Sequence, residues 1–289
     1  MYTIVDYKHL GGLTHEMSIE AKQLAKKAQA GQFLIIRMND EGERIPLTIA
    51  DADPDKGTIT IVFQAIGRST EELATYKIGD TLSDVVGPLG RASEIKKYGK
   101  VIIVGGGVGI APIYPIAKAL KAAGNHVISI IGAKNKDLLF WEDRMAAVSN
   151  ELHIATDDGS CGHKGFVTDI LDDICQKEEI AAVWAVGPMI MMKNCVRVTK
   201  PYGIKTFVSM NPVMIDGTGM CGGCRIQVGD ETKFACVDGP EFDGHLVDFD
   251  LAMKRSAYLK DMEAKGREYY HDHTCTLGLE HDDRAAKGV

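Results

Sequence analysis

The 289-residue sequence predicts a β-barrel domain followed by an α/β domain with a parallel sheet, then a small cysteine-rich segment and a helical C-terminal tail. Three observations predict this order. Short strand-like runs separated by turn signals fill the first third of the chain, and strands alternate with helices from Lys100 onward. Three cysteines then crowd among glycines between residues 221 and 236. We therefore place the domains at residues 1–98, 99–209, 210–248 and 249–289.

The composition excludes several functional classes. Charged residues make up 25% of the chain and the net charge is −7. Such a chain lacks the surplus of basic residues that binding to nucleic-acid phosphates or anionic membranes requires. The most apolar stretch, residues 101–120, contains glycines, prolines and a lysine, and the N-terminus has no apolar signal core. We expect a cytoplasmic protein with reduced thiols, without a membrane anchor and without a nucleic-acid partner.

The first domain is predicted to be a small barrel. Residues 32–37 and 58–63 are rich in aliphatic and β-branched side chains, which is typical of strands. Residues 53–57, D-P-D-K-G, form a turn signal between strands. Several short strands joined by such turns favour a barrel.

The second domain is predicted to contain a parallel sheet. A buried strand at 101–104 is followed by a glycine turn and by a helix that includes residues 116–120. Strands alternating with helices in this way build parallel α/β sheets. The further predicted strands lie at residues 127–131, 152–156, 181–186 and 206–209.

The C-terminus is predicted to be helical from 249 to 270 and then to become a polar tail. The tail contains His271, His273 and Cys275, a grouping that looks like a metal-binding tract. We expect it to be solvated or to dock onto a partner.

The cysteine-rich segment carries the most specific motif. Asp216, Cys221, Cys224 and Cys236 have the spacing D-x4-C-x2-C-x11-C. This is the plant-type iron–sulfur spacing C-x4-C-x2-C…C with an aspartate in the first position. Four glycines between residues 216 and 224 allow the ligands to converge and the backbone N–H groups to approach inorganic sulfide. We interpret the motif as a [2Fe–2S] site with Asp216 as the fourth ligand.

Two other interpretations of the cysteines stay open. Zinc accepts thiolates and carboxylates in a four-coordinate site, so the same residues could hold one zinc ion. A thioredoxin-like C-x-x-C pair is the other alternative, although such pairs lie near a βαβ unit rather than in a glycine-rich loop. Cys161, Cys175 and Cys195 are expected to be ordinary, partly buried thiols.

Two short motifs in the first domain indicate a flavin site. The run R-x-P-L-T supplies an arginine for a diphosphate, a threonine for the flavin ring and a proline that fixes a strand edge. A glycine, a cation and two hydroxyls ahead of a helical segment at 71–76 could hold a phosphate. A solvated strand edge is the structural alternative. The predicted FAD-binding residues are Arg44, Pro46, Leu47, Thr48, Gly67, Arg68, Ser69 and Thr70.

A glycine run after the strand 101–104 indicates a nucleotide site. A buried strand, a glycine loop and a helix form the usual context for a pyrophosphate, although the run departs from strict G-x-G-x-x-G. A tight packing turn between strand and helix is the alternative. The predicted residues of this loop are Gly105, Gly106, Gly107, Val108 and Gly109.

Further nucleotide contacts are predicted at the ends of two other strands. Gly187, Pro188 and Met189 follow the strand 181–186, where a nicotinamide could lie. Asp158 follows the strand 152–156, and its carboxylate would repel a ribose 2′-phosphate, which favours NAD over NADP. Lys134 is the opposing signal, because its charge would attract that phosphate.

These motifs, in this order, resemble the ferredoxin–NADP reductase superfamily over nearly the whole chain. The run at 44–48 resembles the FAD motif of this superfamily, and the run G-G-G-V-G-I-A-P at 105–112 resembles its nucleotide loop. The cysteine motif resembles that of the branch with a C-terminal [2Fe–2S] segment. That branch includes the electron-transfer subunits of type B dihydroorotate dehydrogenases. It also includes the small subunits of electron-bifurcating NADH-dependent reduced ferredoxin:NADP oxidoreductases, also called sulfide dehydrogenase subunits.

Position 216 distinguishes the two groups, because the dihydroorotate group carries a cysteine there. D-G-T-G-M-C-G-G-C at 216–224 and D-G-P-E-F-D-G-H at 238–245 resemble the second group. The resemblance implies a larger partner subunit that has its own flavin and [4Fe–4S] clusters and binds NADP, with ferredoxin reached through the complex. The tail beyond residue 271 has no counterpart in this resemblance.

The implied function is electron transfer between NAD(H), FAD and a [2Fe–2S] cluster. The cofactors carry the chemistry and the protein positions them, so we expect no catalytic side chain. The alternatives are the electron-transfer subunit of a dihydroorotate dehydrogenase, a stand-alone NAD(P)H:ferredoxin reductase and a metal-binding regulator on a decayed reductase fold.

Overall fold

The first seven strands form one antiparallel, nearly closed barrel. A computed structural model describes residues 2–258 and 260–276, with side chains described to residue 268. Along the sheet the strands follow the order β6-β1-β2-β5-β4-β3-β7. The strands are β1 (Tyr2–Gly11), β2 (Thr14–Glu20), β3 (Phe33–Arg37), β4 (Ile45–Asp53), β5 (Thr58–Gln64), β6 (Thr81–Leu82) and β7 (Asp84–Leu89), and helices α1 (Lys22–Lys27) and α2 (Arg68–Ala74) lie between them.

Alternation of apolar residues explains the barrel core. Ile59, Ile61 and Phe63 of β5 occupy every second position and are almost completely buried, because successive side chains of a strand point to opposite faces. Only Ser83 separates β6 from β7, which brings the two ends of the sheet together. The predicted barrel is confirmed, with strands at 33–37 and 58–64 where the sequence predicts 32–37 and 58–63.

The second sheet follows the order β11-β10-β9-β8-β12-β13-β16 and has helices between its strands. All neighbours pair in parallel except the last strand, which is antiparallel to β13. The strands are β8 (Lys100–Gly106), β9 (His126–Ala133), β10 (Glu151–Thr156), β11 (His163–Lys164), β12 (Ala182–Val186) and β13 (Lys205–Ser209), and the helices are α3 (Ile110–Ala122), α4 (Glu142–Val148), α5 (Val167–Lys177) and α6 (Met189–Thr199).

The unbroken apolar run of β8 is explained by burial on both faces of the sheet. Ile102 and Val104 pack into a core on one face of the sheet, whereas Val101 and Ile103 pack into a second core on the other face. A parallel sheet covered on both faces buries every residue of its central strands. The predicted α/β domain is therefore confirmed.

The cysteine-rich segment adds to the α/β sheet and shares its core. Its elements are β14 (Arg225–Val228), β15 (Glu231–Phe234), α7 (Ala235–Asp238) and β16 (Glu241–Asp243). Cys224, Ile226 and Phe242 belong to the same buried cluster as residues of β8 and β12. Because so short a segment cannot bury a core of its own, β16 pairs with β13 and converts the predicted parallel sheet into a mixed one.

The C-terminal helices are α8 (Phe249–Tyr258) and α9 (Lys260–Thr276). The prediction that the helix ends at 270 and a tail begins at 271 is wrong, since the helical backbone continues to Thr276. Polar side chains do not interrupt a helix, and no proline or glycine intervenes after Gly266 in the described part of α9. The side chains of His271, His273 and Cys275, and residues 277–289, lie outside the described residues.

Helix α9 returns to the barrel, where Arg267 pairs with Glu71 of α2. No helix within residues 2–258 and 260–276 is both long enough and apolar enough to cross a bilayer.

A buried carboxylate joins the barrel to the α/β domain. Glu16 of β2 is 3% exposed and accepts hydrogen bonds from Trp141 Nε1 at 2.8 Å and from an Arg144 terminal nitrogen at 3.2 Å. The Arg144 guanidinium lies 4.4 Å from the centre of the Trp141 ring. Trp141 has φ = 59°, a left-handed conformation that a non-glycine residue keeps only when its surroundings hold it.

Replacing Glu16 with alanine is expected to lower the free energy of unfolding by about 1–3 kcal/mol, because the buried Trp141 N–H loses its acceptor. Urea unfolding followed by tryptophan fluorescence measures this loss. The control is Glu20→Ala on the same strand, where an exposed carboxylate lies 3.5 Å from Lys22 and contributes less than about 1 kcal/mol. Equal losses in the two variants would contradict the proposed role of the junction.

Candidate functional site

The R-x-P-L-T motif lies at the start of β4. Pro46 pairs with Ile35 and Thr48 with Phe33 of β3. The pairing of β4 with β5 begins only at Ile49, so this stretch of β4 is bonded on one side. A proline is tolerated at such an edge because no neighbour needs its missing N–H.

Arg44 makes a contact that the sequence did not predict. Its Nε donates a hydrogen bond to the carbonyl oxygen of Ile215, at 3.1 Å, beside the cluster motif. Gly217 of the same loop packs so closely on the barrel that an added Cβ would lie 2.6 Å from Ile35 and 2.7 Å from Leu89. The predicted flavin motif and the predicted cluster loop are therefore direct neighbours.

The G-R-S-T segment begins helix α2, which starts at Arg68 and ends at Ala74 rather than spanning the predicted 71–76. Thr70 Oγ1 accepts a hydrogen bond from the Gly67 N–H at 3.1 Å, and Ser69 Oγ donates one to Glu43 at 2.5 Å. Both hydroxyls therefore shape the turn. An added Cβ on Gly67 would meet no atom closer than 4.0 Å, so the surface in front of the turn is open.

Strand β8 continues through Gly105 and Gly106, two residues beyond the predicted strand 101–104, so only Gly107–Gly109 form the turn after it. This glycine turn lies at the point where the strand order of the sheet reverses. Strands β9, β10 and β11 lie on one side of β8, whereas β12 and β13 lie on its other side. Open α/β sheets bind ligands at the carboxyl ends of the strands where the order reverses in this way. Gly109 touches the backbone of β12, since an added Cβ would lie 2.2 Å from the Val186 carbonyl oxygen. Gly107 has φ = +56° and open space in front of it.

The loop after β12 meets the glycine loop directly. Gly187 approaches Gly106 so closely that an added Cβ would lie 3.0 Å from the Gly106 carbonyl oxygen. Pro188 precedes the first residue of α6, Met189. The structure thus brings together the predicted pyrophosphate loop and the predicted nicotinamide residues.

Asp158 lies in the turn after β10. Its Oδ1 accepts hydrogen bonds from the Ser160 hydroxyl at 2.6 Å and the Ser160 N–H at 2.9 Å. The Ser160 hydroxyl, followed by its N–H, lowers the pKa of Asp158, so the carboxylate is charged at neutral pH. The Asp158 N–H donates to the Lys134 carbonyl oxygen at 3.3 Å, which brings the loops after β9 and β10 together.

Asp216 organises the cluster loop. Its Oδ2 accepts backbone hydrogen bonds from Met220 and Cys221, both at 3.0 Å, and its Oδ1 lies 3.4 Å from the Cys221 sulfur. Desolvation raises the pKa of Asp216, but hydrogen bonds from Thr218 and Cys221 outweigh it and bring the pKa to about 2. The side chain is therefore an anionic oxygen donor, as a metal ligand must be.

The other two cysteines form a second pair. Cys224 and Cys236 are each 1% exposed, and their sulfur atoms lie 3.3 Å apart. Burial, followed by the hydrogen bond between the two thiols, raises the pKa of Cys236 to about 12, so in the absence of metal this thiol is neutral. Among the described residues, no three histidine, cysteine or carboxylate side chains approach closely enough to hold a single metal ion.

A partly buried glutamate lies where the segment after the barrel, the α/β sheet and the cysteine-rich segment meet. Glu241 of β16 accepts a hydrogen bond of 2.5 Å from Ser93, in the segment that follows the barrel. Burial is the main reason why the pKa of Glu241 rises to about 7, and the Ser93 hydrogen bond acts in the opposite direction. No local sequence pattern indicates this contact or the contact of Glu16 with Trp141, because the partners lie more than a hundred residues apart.

Glu241 is expected to make stability depend on pH. A carboxyl group whose pKa is higher in the folded state favours folding fully below its unfolded pKa, and this contribution is lost as pH rises toward about 7. Relative to Glu241→Gln, the wild type should therefore lose up to about 3 kcal/mol between pH 4.5 and pH 7. Urea unfolding at a series of pH values measures the difference. The control is Glu231→Gln on the exposed hairpin strand β15, and a Glu241→Gln curve parallel to the wild type would refute the assignment.

Two families match parts of the chain. Residues 211–248 match the iron-sulfur cluster binding domain of dihydroorotate dehydrogenase B, and residues 103–197 match the oxidoreductase NAD-binding domain. The dihydroorotate dehydrogenase B (NAD+) electron transfer subunit homolog of Thermotoga maritima is 51% identical over 245 residues, which are 85% of this chain and 86% of that protein. This chain belongs to the family of dihydroorotate dehydrogenase B electron-transfer subunits. A member from Shouchella clausii is 34% identical over an alignment that covers 83% of this chain and 94% of that protein.

A solved structure is also similar to this chain. A chain of the NADH-dependent reduced ferredoxin-NADP oxidoreductase, described in a study of flavin-based electron bifurcation, is 45% identical. It superposes with a TM-score of 0.89 and covers 93% of this chain and 98% of its own. The predicted family and the cofactor classes of this electron-transfer subunit are confirmed, namely flavin, nicotinamide nucleotide and iron–sulfur cluster. The roles of individual residues stay predictions.

Proposed function

We propose that this family member is the electron-transfer subunit of an NADH-dependent reduced ferredoxin:NADP oxidoreductase, with FAD, a [2Fe–2S] cluster and NAD(H) as its cofactors. The observation that carries the proposal is that the four candidate ligands form two pairs, in a segment that Arg44 of the flavin motif contacts. Asp216 lies 3.4 Å from Cys221, and Cys224 lies 3.3 Å from Cys236.

The pairing supports a binuclear cluster over zinc. Each iron of a [2Fe–2S] cluster has two bridging sulfides and two protein ligands, whereas structural zinc has four protein ligands around one ion. Asp216 and Cys221 would hold one iron, and Cys224 and Cys236 the other.

The barrel residues suit FAD. The terminal guanidinium nitrogens of Arg44 would bind the diphosphate while its Nε keeps the Ile215 carbonyl. Pro46, Leu47 and Thr48 would face the flavin from the one-sided edge of β4, and the open turn at Gly67–Thr70 would accept the phosphates.

The α/β domain suits NAD(H). Gly105 and Gly106 at the end of β8, with the turn at Gly107–Gly109, would bind the pyrophosphate, and Gly187, Pro188 and Met189 would position the nicotinamide. The charged Asp158 favours a ribose 2′-hydroxyl over a 2′-phosphate.

The residues act by positioning rather than by acid–base chemistry. When bound, the flavin converts two-electron hydride transfer into single-electron steps, and the iron–sulfur cluster carries single electrons. The two proposed sites would lie on either side of the contact between Arg44 and Ile215, and no side chain would be required to move a proton.

A larger subunit is the proposed partner. It would bind NADP and carry its own flavin and [4Fe–4S] clusters, with ferredoxin reached through the complex. Met220, which is 89% exposed, and the exposed Ile215 and Val213 surround the cluster loop and leave an apolar surface there. Exposed apolar surface beside a redox site is typical of a place where a partner docks.

An anaerobic absorption spectrum before and after NADH addition tests the proposal. Flavin bands and a broader iron–sulfide absorption that both bleach with NADH are expected. A colourless, zinc-containing protein, or one that does not respond to NADH, would refute it.

The second candidate is the electron-transfer subunit of a dihydroorotate dehydrogenase, because residues 211–248 match that family's cluster domain. Purification of the complex from its source distinguishes the two. A partner that reduces the flavin with dihydroorotate would support this second candidate, whereas a partner that exchanges electrons with NADPH and ferredoxin would support the first.

A further inference from the structure

Two arginines of the barrel side contact the cysteine-rich segment in the same way. Arg44 Nε donates to the Ile215 carbonyl and Arg91 Nε to the Val237 carbonyl, each at 3.1 Å. Ile215 directly precedes Asp216, the first candidate ligand, and Val237 directly follows Cys236, the last one. The run of ligands is therefore held against the barrel at both of its ends.

Arg91 makes two further contacts with the same turn. A terminal nitrogen lies 3.3 Å from Asp238 Oδ1, and the Arg91 backbone N–H donates to the Gly239 carbonyl at 2.6 Å. Asp238 Oδ2 in turn accepts the Phe234 N–H at 2.9 Å, which closes the turn that carries Cys236. Arg91 thereby contacts three successive residues, 237–239, of this turn.

Stability alone does not account for this arrangement. The Arg91 side chain is 69% exposed, and an ion pair at such a site contributes little to folding. The positive charge of Arg91 has a clearer role, because it lies beside a candidate ligand set that three thiolates and a carboxylate make strongly anionic. Hydrogen bonds and positive charge near an iron–sulfur site raise its reduction potential.

We propose that Arg91 is a positioning residue for the cluster site, which docks the turn of Cys236 onto the barrel and favours electron uptake there. The inference rests on the proposed function, because it requires a cluster at residues 216, 221, 224 and 236. The step is the addition of one electron, in which no bond breaks and no proton is taken up. The electron comes from NADH through the flavin, or from dithionite in the experiment.

The test compares Arg91→Ala and Arg91→Lys with the wild type. The control is Arg37→Ala, which removes an equal charge from the barrel, where Arg37 Nε bonds Asp84 at 2.8 Å. Two quantities are measured on the full chain. The first is the cluster midpoint potential, from paramagnetic resonance of samples poised with dithionite. The second is amide hydrogen exchange of residues 211–248 in protein stripped of cofactors.

Arg91→Ala is expected to make cluster reduction less favourable by about tenfold, equivalent to about 59 mV for one electron. It is also expected to speed exchange in residues 235–239 several-fold. Arg91→Lys keeps the charge but lacks the planar fork, so it should recover part of the potential while exchange stays fast. Arg37→Ala should change neither quantity.

Unchanged potential and exchange in Arg91→Ala would overturn the proposal, as would an equal potential shift in Arg37→Ala. If the wild type itself binds no cluster, the proposed function fails, and the exchange measurement still decides whether Arg91 docks the turn. Should Arg91→Ala not fold, Arg91→Lys and Arg91→Gln provide the same comparison.

Discussion

Replacing Cys236 with alanine is expected to remove the iron–sulfide absorption while the flavin bands persist. Cys236 is buried beside Cys224, and no other sulfur in the described residues is paired with it. Loss of one direct ligand should lower cluster occupancy by at least about tenfold, since even indirect metal contacts cost that much. Because the candidate flavin residues lie on the barrel, NADH should still bleach the flavin. Iron content and the absorption spectrum measure the outcome.

Cys161→Ala is the matched control for Cys236→Ala. Cys161 is a free cysteine in the turn after β10, where its backbone N–H and carbonyl oxygen bond the Thr156 hydroxyl. It should keep full iron content. A Cys236→Ala protein with wild-type iron would show that the ligand assignment is wrong, and equal losses in both variants would indicate general destabilisation.

Asp216 can be examined in the same series. Asp216→Ala should lose the cluster and also the loop contacts with Met220 and Cys221. Asp216→Cys should keep the cluster with an altered spectrum, because a thiolate is a softer donor than a carboxylate.

Replacing Gly107 with alanine is expected to weaken NADH binding by about tenfold or more, equivalent to about 1.4 kcal/mol. Gly107 has φ = +56°, and the space in front of it is open, so an added methyl group would project toward the predicted pyrophosphate. Flavin and cluster absorption should be unchanged, since their candidate sites lie elsewhere. The dissociation constant is obtained from flavin bleaching rates at increasing NADH concentrations.

The chain offers a matched control at Gly124. This glycine also has a positive φ, +81°, and open space around it, but it lies after α3 at the opposite end of the helix. Alanine at either position carries a similar backbone strain of about 1 kcal/mol. Only Gly107→Ala should affect NADH. Equal weakening in both variants would attribute the effect to strain and refute the nucleotide assignment.

Local sequence patterns were sufficient to predict the fold class and the main motifs. The unbroken apolar run of β8 is a consequence of burial on two faces, so composition alone reveals a central parallel strand. Alternation in β5 similarly reveals a barrel strand. The spacing of Asp216 and the three cysteines is local, with 21 residues from the first to the last, so chain geometry restricts where those side chains can lie.

The ends of helices and the pairing of edge strands were less predictable. The helical segment predicted at 71–76 begins three residues earlier, at Arg68, because Thr70 Oγ1 bonds the Gly67 N–H and starts the turn there. The antiparallel strand β16 was not predicted as part of the α/β sheet. Its place depends on the free edge of β13, which no pattern within residues 241–243 indicates.

The sequence by itself determined the order of domains, the residue types at the three predicted cofactor sites and the spacing of the cluster motif. Only the tertiary structure decided how the sites are connected. The contacts of Arg44 with Ile215, Arg91 with Val237 and Ser93 with Glu241 join residues more than 140 positions apart. Such partners meet because burial of a shared core folds the chain back on itself, and that free energy belongs to the whole molecule rather than to any segment.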